Sequence, residues 1–325
     1  MIGRREFISL LGAATAAWPL EIRAQITKRI WRLGMLETTA LSSNTVNLNS
    51  LRRALGEFGY IEGDNLIIEY RSADGVSERF TELAAELVRL KVDLIITRGT
   101  PATLAAENTP GTTPVVAVAL ARPLVVVSNL ARPTGKVTGL ASLSSELAGK
   151  RIEILKEMIP RITRIAMMFN LQNPTIAHMR QEVEAATRTL GLQHEFVDVQ
   201  RREDIEPAFE FASRHADAML VGIETVTQAN RTFIAELAVK YRLPAIYAAR
   251  EFIQAGGLVS FGVSYPDLYR RVATYIDKIF KGAKPVDLPI ELPTKFELLI
   301  NLPAAKSINL AIPESFLARA DEVIE

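Results

Sequence analysis

The side chains best placed to do chemistry in this 325-residue chain are polar ones that fall just after short apolar runs. In open α/β sheets, ligands gather beyond the carboxyl ends of the strands, so these positions are read first. Ser42, Ser43 and Asn44 follow the first such run; short hydroxyl and amide side chains there can cap the next helix or reach a ligand. Arg98, Gly99 and Thr100 follow the third run. A glycine there lets the backbone approach a ligand, and the free N–H groups of a starting helix suit a carboxylate. Asn170 and Asn173 follow a later run, with Pro174 placed as a first helical residue, so Asn173 reads either as a cap or as a ligand contact. Glu224 and Thr225 follow another, where an acid can take an ammonium group. Tyr247 either stacks on a ring or packs in the core. Arg250 lies just beyond it, and Ser264 and Tyr265 follow the turn and strand read over 257–262.

Catalytic machinery is thin by comparison. The chain has neither G-x-G-x-x-G nor G-x-x-x-x-G-K-[ST], so no dinucleotide or triphosphate cradle is signalled. The stretch from Gly257 to Gly262 has one residue too many for a nucleophile elbow and reads as a turn and a strand. His178, His194 and His215 lack metal-ligand spacing, and there is no cysteine to act as nucleophile or cluster ligand. Acids such as Glu78, Glu82 and Glu86 sit on a polar helix face. Reversible binding without a cofactor is therefore expected, and an exported enzyme is a remote alternative.

The elements that must carry these residues alternate. Strands are predicted at 30–36, 65–70, 92–97 and 114–119, with helices at 45–58, 76–90 and 101–107. In 76–90, Phe80, Leu83, Ala84, Leu87 and Val88 form one core-facing stripe. The order then recurs: strands at 164–169, 194–199, 216–221 and 245–247, helices at 174–190, 204–214 and 228–241. Near-continuous apolar strands spaced by helices imply parallel sheets covered on both faces. The expected fold is thus α/β, two doubly wound parallel-sheet domains. Further helices at 147–159 and 268–280, and a strand at 296–302 after a proline-rich stretch, are placed to cross between domains.

The amino terminus reads as an export signal over 1–25. Arg4-Arg5 precede an uncharged run from 8 to 18, shorter than the roughly 20 apolar residues of a membrane span. Cleavage is expected near Ala24, and Arg4-Arg5-Glu6-Phe7-Ile8 fits a twin-arginine signal, with an ordinary secretory signal as the alternative. Without this leader, basic and acidic residues balance at 35 each. A neutral chain has no electrostatic reason to bind nucleic acid or an anionic membrane. A monomer in the periplasm, not inserted in a membrane, is expected.

A set of motifs then runs through the chain: Gly59-Tyr60-Ile61-Glu62-Gly63 with Ile68-Glu69-Tyr70-Arg71; Leu130-Ala131-Arg132-Pro133 with Val137-Thr138-Gly139; Glu146-Leu147-Ala148-Gly149-Lys150-Arg151; Arg250-Glu251-Phe252; and Leu292-Pro293-Thr294-Lys295-Phe296-Glu297. With these the chain resembles the tryptophan/tyrosine-type substrate-binding proteins of ABC transporters, which have a type I periplasmic binding protein fold. The resemblance implies capture of a small solute, an amino acid or carboxylate-bearing and possibly aromatic, with an inner-membrane ABC permease and its ATPase as partners. A periplasmic sensor that signals to a membrane receptor would use the same cleft. The fold implies three hinge crossings, placed at 141–145, 262–264 and 288–292. The lobes are then 26–142 plus 264–290 and 143–263 plus 291–325. The cleft departs from the family pattern. Ala121-Arg122-Pro123-Leu124 stands where relatives carry a Gly-Asp-Pro-Val-like turn, and Ile223-Glu224-Thr225 where they often carry Pro-Asp-Pro. Arg122 reads as a partner for a ligand carboxylate or as an exposed turn residue. Aromatic specificity is not carried over.

Overall fold

The computed structural model describes residues 29–325, so the leader read over 1–25 lies outside the described residues. The strands are β1 (Trp31–Glu37), β2 (Leu66–Ser72), β3 (Leu94–Thr97), β4 (Val115–Leu120), β5 (Val137–Ala141), β6 (Arg164–Phe169), β7 (Gln193–Asp198), β8 (Ala218–Val221), β9 (Ala245–Tyr247), β10 (Val259–Gly262), β11 (Glu297–Asn301) and β12 (Glu322–Ile324). The helices that matter for the site are α1 (Thr45–Glu57), α2 (Phe80–Arg89), α3 (Thr100–Asn108), α4 (Ala148–Met158), α5 (Ile176–Thr189), α6 (Ile205–His215), α7 (Thr225–Ala229), α8 (Arg231–Lys240), α9 (Arg250–Gln254) and α10 (Tyr265–Phe280).

Two sheets result. One is five-stranded, in the order β2-β1-β3-β4-β5, with its registered pairs all parallel; the other is seven-stranded, β12-β11-β10-β9-β8-β6-β7, with one antiparallel pair, β10 with β11. Burial explains the parallel arrangement. Successive residues of a strand face opposite sides, and here both sides are covered. Leu33 and Met35 of β1, Ile96 of β3 and Val116 of β4 pack with Leu48 and Leu51 of α1 and Val272 and Ile276 of α10. Leu36, Ile95 and Val115 face the other way, against Phe80, Leu83, Ala84 and Leu87 of α2. The second sheet repeats this plan. Met168 and Met219 meet Phe209 of α6, while Met167 and Leu220 meet Ile152 and Leu155 of α4 and Val183 of α5. Each fully buried leucine contributes about 2 kcal/mol.

The chain passes between the sheets three times: after β5, between β10 and α10, and between Glu291 and β11. Helix α10 follows the second sheet in sequence but packs along α1 and over β4 and β5 of the first. Arg151 ties two of the passages together. Its Nε donates to Phe261 O at 2.8 Å and its Nη1 to Ser144 O at 2.9 Å.

Among the elements named above, four differ from the sequence expectation. Strands β5 and β12 were not anticipated, because β5 carries Gly139 mid-strand and β12 is only three residues long. Helix α9 follows β9 almost directly and is only five residues long, too short to show a periodicity. The single helix expected over 228–241 is two, α7 and α8, broken at Asn230.

Gly139 is required by the pairing of β4 and β5. A Cβ on it would lie 2.1 Å from Ala117 O, and its φ is +133°. Its carbonyl accepts the Glu291 N–H at 3.0 Å, so the third passage is fastened to the same residue. Gly139→Ala is expected to destabilise the protein by about 3 kcal/mol, read as a shift in the denaturant midpoint.

Candidate functional site

The carboxyl ends of the strands of both sheets converge on one cleft, as open α/β sheets require. From the first sheet come Thr38 after β1, Arg98 to Pro101 after β3, Ala119 and Ala121 at the end of β4, and Ser142 after β5. From the second come Asn173 after β6 and Ile223, Glu224, Thr225 and Gln228 after β8; Tyr265 opens α10 between the two. These residues line a partly open cavity of about 40 Å3.

One wall is built for a negative group. Gly99 takes φ +85°, turning the chain from β3 straight into α3, with Pro101 in its first turn. The Gly99 carbonyl is occupied by Thr103, whose N–H and hydroxyl both donate to it. The first-turn N–H groups of the helix have no intrahelical acceptor and stand at its positive end. Thr100 Oγ1 and Arg98 Nε are buried without a hydrogen-bond partner in the protein, which leaves a demand for polar atoms here.

The opposite wall carries an acid. Glu224 is 5 % exposed. Its Oε2 accepts 2.6 Å from Asn173 Nδ2, and Asn173 Oδ1 is held in turn by the Thr175 N–H and hydroxyl. Burial pushes Glu224 up to about 7, against the smaller downward pull of the Asn173 hydrogen bond.

Between the walls lies a buried ion pair. Arg98 Nη2 donates to Glu251 Oε1 on α9, 2.8 Å away across the cleft. Asn47 Nδ2 donates to the same oxygen at 3.2 Å, Asn44 Oδ1 accepts from Arg98 Nη1 at 3.4 Å, and the guanidinium lies 4.1 Å above the Tyr265 ring. Burial disfavours both charges, yet each holds the other ionised: the Glu251 carboxyl falls below its ordinary range and Arg98 is raised further above its own. Behind the pair, Glu37 is fully buried and accepts the Tyr269 hydroxyl at 2.6 Å. Burial pushes it up to about 7 despite the nearby guanidinium. Two further contacts span the cleft: Thr38 Oγ1 with Gln228 Oε1, and Arg231 Nη2 with Ser43 O.

Arg98, Gly99, Thr100, Asn173, Glu224 and Thr225 are thus brought to one cavity. The other residues singled out from the sequence lie elsewhere. Ser42 and Ser43 are in an exposed turn, and Asn44 is buried beside the cavity but makes no side-chain cap on α1. Arg122 is half-buried in the turn after β4 and does not line the cavity, whereas its neighbour Ala121 does. Asn170 closes a turn through the Gln172 N–H. Tyr247 is wholly buried and stacks on Phe252 at 4.9 Å. Arg250 pairs with Glu297 and Glu322 away from the cavity. Ser264 lines a separate hollow behind the hinge with Asp267 and Arg271.

Thr38, Ser142, Gln228 and Glu251 were not among the residues chosen from sequence, whereas Tyr265, named beside Ser264, does line the cavity. Gln228 was hidden by reading α7 and α8 as one helix; Asn230, a poor helix former, marks the break. Glu251 lay inside a quoted motif, but α9 was not read as a helix. Among the described residues no group of three or more His, Cys, Asp or Glu is arranged to hold a metal, and no helix is long and apolar enough to cross a membrane.

Two outcomes follow. Glu251→Gln takes from the buried Arg98 its hydrogen-bonded counter-ion and is expected to cost about 3 kcal/mol, measured by denaturant unfolding. Glu37 and Glu224 bind protons more tightly folded than unfolded. Their contribution to stability is present in full below pH 4.5 and is lost as pH rises to about 7. Unfolding titrations of the ligand-free protein across this window should show that slope, and Glu224→Gln should flatten it.

A family model described as ABC transporter substrate binding protein matches residues 39–324. A tyrosine-binding protein from Clostridioides difficile is 22 % identical over 270 residues, covering 79 % of this chain and 75 % of the relative. Among solved structures, an ABC domain in complex with L-Trp from Streptococcus pneumoniae superimposes with a TM-score of 0.82 at 24 % identity, over 91 % of this chain and all of that one. A conserved domain protein from Vibrio cholerae gives 0.84 at 23 % identity over the same shares. The ligand-free, open structure of a substrate-binding protein from Clostridium difficile gives 0.62 at 18 %, over 91 % of this chain and 99 % of that one. These likenesses, with the two parallel-sheet domains and their three passages, are those of the type I periplasmic binding proteins. The chain belongs to the ABC transporter substrate-binding protein family.

Proposed function

We propose that this protein is the periplasmic solute-binding component of an ABC uptake transporter and that its solute is an amino acid. The supporting observation is the opposition of charge across the cleft. The first turn of α3 and the Arg98 side chain offer N–H groups on one wall, and the buried Glu224 faces them with no cation of its own. A zwitterion satisfies both: its carboxylate takes the helix N-terminus and its ammonium takes Glu224. Each burial penalty is then offset by an opposite charge, and the two lobes are drawn together around the solute by rotation about the three passages. Two relatives are described with amino acids, tyrosine and L-Trp. The leader at 1–25 carries the proposed location. Delivery to a membrane permease and its ATPase completes the role.

Isothermal titration calorimetry against a panel of amino acids and simple carboxylates, with small-angle scattering to follow closure, tests this. An amino acid is expected to bind and compact the protein without being turned over. Glu224→Gln should weaken it by about tenfold or more, the scale of one charge-assisted hydrogen bond. A simple carboxylate that binds as tightly as its amino analogue would remove the role given to Glu224.

A further inference from the structure

The size and lining of the cavity carry the reading further, resting on the amino-acid proposal above. We infer that Arg98 is a specificity-determining residue that restricts the cleft to small, polar amino acids of the size of glycine, alanine or serine and shuts out aromatic ones.

Three observations combine. The first is volume. A cavity of about 40 Å3 holds about three waters by the same measure, far below the several hundred Å3 of pockets that enclose larger ligands. The second is what fills the rest of the cleft. The Arg98 side chain, 3 % exposed, projects from the end of β3 into the space between the lobes. It is fixed there from both sides, by Glu251 of the second lobe and by the face of Tyr265. Tyr265, the one aromatic side chain lining the cavity among the described residues, therefore gives its face to the guanidinium. The third is chemistry. Beside the apolar Pro101, Ala119, Ala121 and Ile223, the lining carries the polar groups of Thr38, Thr100, Ser142, Asn173, Thr225 and Gln228. Of these, Thr100 Oγ1 is buried without a partner in the protein; a compact zwitterion can satisfy it, and an apolar ring would not.

An aromatic side chain could enter only by displacing Arg98, which would leave two buried charges uncompensated. A small amino acid needs no such displacement. It fits beside the pair, and Arg98 Nε, which has no partner in the protein, remains available to its carboxylate.

The test is competition calorimetry on the full chain with glycine, alanine, serine, threonine, phenylalanine, tyrosine and tryptophan. At least one of the small set should bind at least tenfold more tightly than every aromatic. Tyrosine or tryptophan binding as tightly as the best small amino acid overturns the inference and leaves the amino-acid proposal standing. Binding of none of them overturns the inference, and binding of no amino acid on the wider panel overturns the proposal itself. The double variant Arg98→Ala/Glu251→Ala removes both charges together, so no orphan remains. Its affinity for phenylalanine or tyrosine should rise at least tenfold over the wild type. A folded double variant with unchanged selectivity would remove Arg98 from that role. The wild-type panel decides the size limit by itself should the double variant not fold.

Discussion

A positive charge taken out of water governs the arrangement of the cleft. Arg98 projects from the first lobe, but the carboxylate it pairs with, Glu251, belongs to the second. The desolvation cost of an ion pair is recovered only when geometry is good and the remaining donors are satisfied. That requirement accounts for the cluster around it: Asn44 on Nη1, Asn47 on the shared carboxylate oxygen, the ring of Tyr265 beneath the guanidinium. It also couples local chemistry to global shape, since separating the lobes separates the charges. What the pair leaves for a ligand between the lobes is small.

The supporting scaffold is ordinary by contrast. Both sheets bury alternate faces under helices, and the first wall of the cleft is the start of a helix made available by one glycine with positive φ. The second wall is a single acid whose orientation is fixed by Asn173, itself held by Thr175. Precision at the site thus comes from short polar side chains in the tight turns that follow the strand ends.

Much of the architecture was legible in the sequence because it is written in periodicity. The stripe at Phe80, Leu83, Ala84 and Leu87 buries its residues against the first sheet, and the alternation of apolar runs with helices gave the two α/β sheets. Arg98 to Thr100 and Glu224 to Thr225 were reached by one rule, that ligands collect at carboxyl ends of strands. The same rule did not separate Tyr247, which follows that pattern yet is core, from Thr38, which lies one residue past a strand that runs to Glu37. Nor does spacing reveal a pair such as Arg98 and Glu251, 153 positions apart, because their meeting depends on how two lobes face each other. Arg122 illustrates the converse: a change of charge in a turn draws the eye, but the side chain stands outside the cavity its neighbour Ala121 lines.

The path of α10 has a consequence for how the chain is made. The face of the first sheet that carries Leu33, Met35, Ile96 and Val116 is closed by α1 together with a helix that begins only at residue 265. During synthesis from the amino terminus, the five strands of that sheet emerge long before their cover does, and the whole second sheet up to β10 is made in the interval. The first lobe cannot be finished where it is begun. Its apolar face stays open to wrong partners until the last fifth of the chain arrives, the condition under which larger proteins fall into aggregation or need a holding chaperone. Folding in strict order along the chain is thereby excluded: the first lobe is closed only after most of the second has been made.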